Sequence, residues 1–268
     1  MGPTHMLNLH VLATGSRGNS SLIVDTETNK GIVIDCGICK RDFFERCKQA
    51  DFDLHNLSAI LITHEHSDHV KGLGVVLRGL AKEGIRPEVY VNDSCVRASN
   101  TLQCALEGRS YHSFSETSDV DIDALRVFPF PTSHDAAASF GFRIEGSHDA
   151  LGFITDSGIV MDQAHDYLQN VRLLALESNH DLKMLEEGPY PYSTKKRIAS
   201  KLGHLSNFQA ADELESLLSN RLERIVAMHV SETNNTYDLP PATLTEAVKR
   251  NDHPAQVLVG YQRSMTSL

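Results

Sequence analysis

The sequence predicts a mixed α/β chain, which two sheets packed face to face with helices outside would fit. Two observations predict it. Short apolar, β-branched runs alternate with stretches of helical pattern along the whole chain. The second half then repeats the grammar of the first, with acidic residues and histidines placed directly after apolar strands.

Early strands are expected at Leu7–Ala13, Ser21–Asp25 and Gly31–Asp35, followed by a helix over Lys40–Gln49. Ala59-Ile60-Leu61-Ile62 has four apolar residues without alternation, the mark of a strand buried on both faces. A helix over Val70–Glu83 and a strand at Glu88–Val91 come next. Asp93 is placed to cap a helix running to Leu106. In the second half, strands are expected at Leu125–Phe130, Phe140–Ile144, Leu151–Ile154, Leu173–Leu176, Ile225–Met228 and Val257–Val259. Ile159–Gln169 has a helical pattern, and a basic helix is expected over Thr194–Leu202. Ser206-Asn207-Phe208-Gln209 has the Ser-x-x-Gln form of a capping box opening a helix to Leu218.

The 268 residues, 41% of them hydrophobic, suffice to bury a sizeable core without disulfide staples. Residues 1–5 read as a cloning scar before a native start at Met6, leaving residues 6–268 as one domain. No apolar run reaches the roughly 18 residues of a membrane span, and no secretory signal is evident, so a cytoplasmic protein with no membrane partner is expected. Five cysteines, an odd number, fit free thiols in a reducing compartment; Cys36-x-x-Cys39 has no second pair to complete a four-cysteine zinc site. A net charge of −10 excludes a broadly basic nucleic-acid coat. It leaves room for an enzyme acting on nucleic acid, because bound cations and a local basic patch can reverse the field.

The chemistry concentrates at His64-Glu65-His66-Ser67-Asp68-His69, after the buried strand and before a helix. Imidazoles and carboxylates suit zinc and other first-row metals. His64 and His66, two apart in extended chain, point to one side, while Asp68 and His69 follow a turn later and reach a second position. One short loop can thus serve two adjacent metals. Further ligands are expected at other strand ends: His134 after Leu125–Phe130, Asp156 after Leu151–Ile154, and His229 after Ile225–Met228.

The order His64, His66, Asp68, His69, His134, Asp156, His229, with Asp35-x-Gly37 before it, resembles the metallo-β-lactamase superfamily of hydrolases over nearly the whole chain. The resemblance implies a four-layer αββα sandwich. It implies two divalent ions, zinc or manganese, with His64, His66 and His134 on the first, and Asp68, His69 and His229 on the second. Asp156 would bridge them and Asp35 would support the cluster from behind. Two metals so placed would activate a bridging water and clamp the attacking and leaving oxygens of a phosphodiester. Smaller runs resemble the YycJ/WalJ-like branch: Ala13 to Ser20, Glu177-Ser178-Asn179-His180-Asp181, Gly203 to Asn207, and His229 to Asn235. That branch implies a DNA exonuclease acting 5′ to 3′.

Other residues are assigned by local chemistry. His204, beside Lys195, Lys196, Arg197 and Lys201, is expected to touch the scissile phosphate or protonate the leaving oxygen. Ser206 and Asn207 at the capped helix start are expected to bind phosphate. Ser16, Arg17 and Asn19 form a glycine-flanked loop suited to an anion, and His180 is expected to line the site with Glu177 behind it. A thioester, lactone or lactam hydrolase on the same metals is the competing enzyme reading, with an RNA-processing nuclease beside it; Arg17, Lys195, Lys196 and His204 favour phosphate. A di-iron redox protein would carry a carboxylate where this chain has His66, and a non-catalytic relative would have lost ligands.

Overall fold

A computed structural model describes residues 6–268, so the scar read over residues 1–5 lies outside the described residues. The first half contains β1 (Leu7–Ala13), β2 (Ser20–Asp25), β3 (Gly31–Ile34), α1 (Lys40–Gln49), β4 (Leu57–Leu61), α2 (Ser67–Val70), α3 (Leu73–Lys82), β5 (Glu88–Tyr90), α4 (Asp93–Ala98) and α5 (Asn100–Leu106). The second contains β6 (Val120–Ile122), β7 (Leu125–Pro131), β8 (Phe140–Glu145), β9 (Ala150–Ile154), α6 (Asp162–Leu168), β10 (Leu173–Glu177), α7 (Leu182–Glu187), α8 (Tyr192–Ile198) and α9 (Asn207–Leu217). It closes with β11 (Arg224–Met228), α10 (Leu239–Arg250), β12 (Gln256–Val259) and β13 (Thr266–Ser267).

Two sheets result, in the orders β13-β1-β2-β3-β4-β5 and β12-β11-β10-β9-β8-β7-β6. Each starts as an antiparallel meander, β1-β2-β3 and β6-β7-β8-β9, and continues with parallel strands, β3-β4-β5 and β9-β10-β11-β12. β13 returns to pair with β1. Parallel strands need crossovers, and helices supply them.

The period of two along a strand explains the unbroken apolar runs. In β4, Ala59 and Leu61 face the core between the sheets, while Ile60 and Ile62 face the outer core with Phe43 of α1 and Leu77 of α3. In β10, Leu173 and Ala175 point inward, whereas Leu174 and Leu176 meet Leu168, Leu214 and Leu244 of α6, α9 and α10. Every strand residue there is buried, so no polar alternation shows in sequence. α3 buries Leu73, Val76, Leu77 and Leu80, a stripe at helical spacing. The protein is a four-layer αββα sandwich.

Boundaries differ from expectation where the backbone has a second task. The helix expected over Val70–Glu83 is α2 and α3, interrupted at Gly72, whose N–H donates to the Cys36 carbonyl. A Cβ at Gly72 would lie 1.9 Å from the Ile38 carbonyl, so only glycine permits this approach. The helix expected to run to Leu106 is capped by Asn92 rather than Asp93 and divides at Ser99, whose Oγ accepts from the Leu102 N–H. α10 begins Leu239-Pro240-Pro241; prolines in the first turn are tolerated there but disguise the helix in sequence.

The loop after β3 packs directly beneath the histidine loop. Gly37 donates to the Asn19 carbonyl, and a Cβ at Gly37 would stand 1.6 Å from the Asp68 carbonyl oxygen. Gly37→Ala should therefore cost about 3 kcal/mol, read as a lower urea midpoint. An unchanged midpoint would show that this contact does not constrain the loop.

Candidate metal centre

The seven expected ligands come from the carboxyl ends of β4, β7, β9 and β11, the edge at which open α/β sheets present their sites. β4 ends at Leu61, and the chain reaches His64 three residues later; α2 then places Asp68 and His69 in its only turn. Three residues of the site, each just beyond a strand, have left-handed backbone: Asp35 (φ 61°), Asp156 (φ 53°) and His229 (φ 54°). Such turns swing a side chain sharply across the strand end.

Donor atoms of His64, His66 and His134 lie within 4.8 Å of one another, as do those of Asp68, His69 and His229. Asp156 stands between the two groups. Its Oδ2 is 3.3 Å from His69 Nε2 and its Oδ1 is 3.8 Å from His134 Nε2. His134 Nε2 is 3.2 Å from His66 Nδ1, and Asp68 Oδ2 is 3.4 Å from His69 Nε2 and 3.5 Å from His229 Nε2. Two ligands on one tetrahedral zinc ion, each at 2.0–2.1 Å, are separated by about 3.3 Å. Buried His64 Nε2 and His229 Nε2 have no hydrogen-bond partner, which is costly unless an ion takes their lone pairs. The residues fit a divalent metal centre.

The inward-facing nitrogens are selected from outside. Asp35 accepts from the Thr63 N–H (2.8 Å), the Thr63 hydroxyl (2.9 Å) and His69 Nδ1 (2.7 Å). With its one proton donated to Asp35, the Thr63 hydroxyl accepts from His64 Nδ1 at 2.9 Å. His134 Nδ1 donates to the Gly203 carbonyl (3.1 Å), and His229 Nδ1 donates to Glu177 Oε1 (3.2 Å). In all four rings Nδ1 is tied from outside and Nε2 faces the centre, ready to bind a metal when the imidazole is neutral. Glu177 also holds His204 Nδ1 at 2.8 Å and accepts from the Ser157 and Leu205 N–H groups.

The field at the centre favours positive charge. Burial opposes charge on His69 and His229, yet the carboxylates of Asp156, Asp35 and Asp68 hold His69 well above its usual pKa. Asp156, Asp68 and Glu177 raise His229 to about 10. Burial likewise opposes charge on Asp156, but His229, His69 and His64 keep it well below the usual carboxylate range. Glu177, buried but facing His204 and His229, is held near 2. His64, buried deepest and facing other imidazoles, is pushed well down.

A cavity of about 270 Å³ opens over the centre, and Ser16, Asp156, His204 and His229 line it. The other expected substrate residues do not reach it. His180 and Ser206 are fully enclosed: the His180 carbonyl accepts from the Asn207 N–H, and Ser206 forms the expected capping box with Gln209. Asn207 is occupied by Ser178 and Asn235, 2.8–3.0 Å away. Asn19 is buried with its Oδ1 on the Gly15 N–H and its Nδ2 3.3 Å from Asp68 Oδ2, so it braces the metal-side loop rather than an anion. Arg17 points out of this cavity and pairs with Glu232 at 3.0 Å. Residues not singled out also line the cavity: Asn179, Tyr190, Thr194, Ile198 and Ser231, with Arg197 of the basic stretch. Asn179 lay within a quoted run, but Tyr190 and Thr194 carry no signal in sequence.

A beta-lactamase superfamily domain matches residues 30–230. The chain belongs to the metallo-β-lactamase superfamily, and its fold and His/Asp cluster are those of a metal-dependent hydrolase. Within it the chain falls in the YycJ/WalJ branch. It is 34% identical over 243 residues to the exodeoxyribonuclease YycJ of Bacillus anthracis, covering 91% of this chain and 89% of that one. It is 31% identical over 244 residues to the exodeoxyribonuclease WalJ of Streptococcus pneumoniae, covering 90% and 88%. Among solved structures, the short form of human tRNase Z shares the fold with a TM-score of 0.65 at 17% identity, covering 97% of this chain and 98% of that one. Among the described residues no helix is long and apolar enough to cross a membrane.

Asp35 touches the ligands without facing the cavity. Asp35→Ala should weaken zinc or manganese binding by about 10–100-fold, measured by competition with a chromogenic chelator. Unchanged affinity would remove Asp35 from the account.

Proposed function

We propose that the protein is a binuclear metal-dependent exonuclease that degrades DNA from the 5′ end, acting in the cytoplasm as one domain over residues 6–268. The placement of Asp156, whose carboxylate lies 3.3 Å from His69 Nε2 in one donor group and 3.8 Å from His134 Nε2 in the other, carries the binuclear part of the reading. DNA as substrate is supported by the names of YycJ and WalJ, both exodeoxyribonucleases matched over about nine-tenths of this chain. The direction follows the branch whose motifs the chain carries.

His64, His66 and His134 would hold one divalent ion and Asp68, His69 and His229 the other, with Asp156 shared. Zinc or manganese bound there supplies Lewis-acid neutralisation of phosphoryl charge and an activated water. The chain's own residues do the rest. His204 lines the cavity with Nδ1 fixed by Glu177, so its Nε2 is free to donate a proton to the leaving oxygen. Arg197, anchored by Asp135, presents a guanidinium at the rim for a phosphate oxygen. Ser16 lines the same cavity.

Purified protein with Mn²⁺ or Zn²⁺ should release nucleotides from end-labelled DNA, beginning at the 5′ end. Cleavage of a lactone or thioester with no hydrolysis of any DNA or RNA would overturn the proposal. His204→Ala should lower kcat on DNA by about 10²–10⁴-fold with metal content retained. Normal cleavage by that variant would end the proton-donor role.

A further inference from the structure

The largest cavity among those described is not the metal site. It is a surface groove of about 680 Å³ between α1, the Ser16–Arg17 loop and the segment before β13. Five cations line it: Arg17, Arg41, Arg46, Lys71 and Arg263. Only Asp42 and Glu45 oppose them there, in a chain whose net charge is −10. The groove is therefore a local reversal of the protein's field, the footprint a polyanion requires.

Its cations are available to a ligand. The Arg17, Arg41 and Arg263 side chains are 67%, 83% and 74% exposed. Their partners are Glu232, 3.0 Å from Arg17 and 3.8 Å from Arg263, and Asp42, 3.1 Å from Arg41. Exposed pairs of this kind contribute little to stability and exchange readily for phosphate. Arg46 is mostly covered, with a guanidinium nitrogen on the Leu12 carbonyl, and Lys71 Nζ holds the Arg17 carbonyl at 2.8 Å. These two fix the wall on which the exposed arginines stand.

The groove adjoins the metal centre at two places. Ser16 lines the metal cavity and Arg17 the groove; Ser231 lines the metal cavity and Glu232 ties Arg17 and Arg263 beside the groove. At Ser16–Arg17 the chain passes from one cavity to the other in a single residue step, and Glu232, the residue after Ser231, reaches the groove only through its ion pairs with Arg17 and Arg263.

We infer that this groove holds the phosphodiester backbone of the polynucleotide strand beyond the residue being cleaved, so that Arg17, Arg41 and Arg263 keep the strand on the enzyme between cuts. The inference rests on the nuclease reading and adds to it a strand track outside the metal centre.

The test is the double variant R41Q/R263Q, which removes two exposed charges that do not line the metal cavity. Binding of a fluorescent single-stranded DNA of about 20 nucleotides is followed by anisotropy across a salt series, and cleavage across a series of strand lengths. Each lost phosphate contact lowers the slope of log K against log salt by about 0.7 for a single strand, so a drop of about 1.4 is expected. The Kd at low salt should rise by about 10-fold, and the loss in kcat/KM should shrink as the strand shortens toward a dinucleotide. Unchanged Kd and slope, with a wild-type protein that cleaves DNA, would overturn the groove and leave the nuclease reading standing. So would an equal loss from R86Q/R109Q, which removes the same charge at a separate cavity beside β5. A wild-type protein that neither binds nor cleaves DNA overturns both.

Discussion

Asp35, Asp156 and His229 bear the structural cost on which the centre depends. Each stands one or two residues past a strand with a left-handed backbone that L-residues adopt at a cost of about 1–2 kcal/mol. The strain is offset by buried bonds that exist only in this arrangement. The Asp35 carboxylate gathers Thr63 and His69, Asp156 Oδ2 accepts from the Thr155 hydroxyl at 2.8 Å, and the His229 N–H donates to Thr14 Oγ1 at 2.8 Å. The His229–Thr14 bond joins the two sheets at the edge that carries the site.

From that constraint follows the division of labour among the histidines. A ring nitrogen can serve a metal only if its lone pair faces inward, and each Nδ1 partner enforces this: a carboxylate for His69 and His229, a hydroxyl for His64, a main-chain carbonyl for His134. Glu177 serves a second purpose, since the same oxygen that orients His229 also orients His204. The metal side of the site and His204, the proposed acid, are thereby joined through one buried carboxylate.

Much of this was legible in sequence, for a physical reason. A charged residue directly after a strand with no polar alternation must sit at the end of a buried strand, where a polar cluster needs a ligand or partners to be tolerated. That rule located His64 to His69, His134, Asp156 and His229, and the capping box at Ser206 was equally local. What was not legible depends on distant chain. Nothing near His134 announces the Gly203 carbonyl, and Arg41 and Arg263 share a groove only because β13 returns to β1. Ser206 and Asn207 carry the right functional groups but spend them inside, and His180 is enclosed with neither ring nitrogen hydrogen-bonded: local chemistry identifies a donor, whereas only packing decides whether it faces the ligand.

The proposed sharing of Asp156 by two ions is read out by anomalous diffraction from crystals grown with zinc or manganese. Two peaks are expected, one among His64, His66 and His134 and one among Asp68, His69 and His229, both adjoining Asp156. A single peak, or peaks away from Asp156, would contradict it.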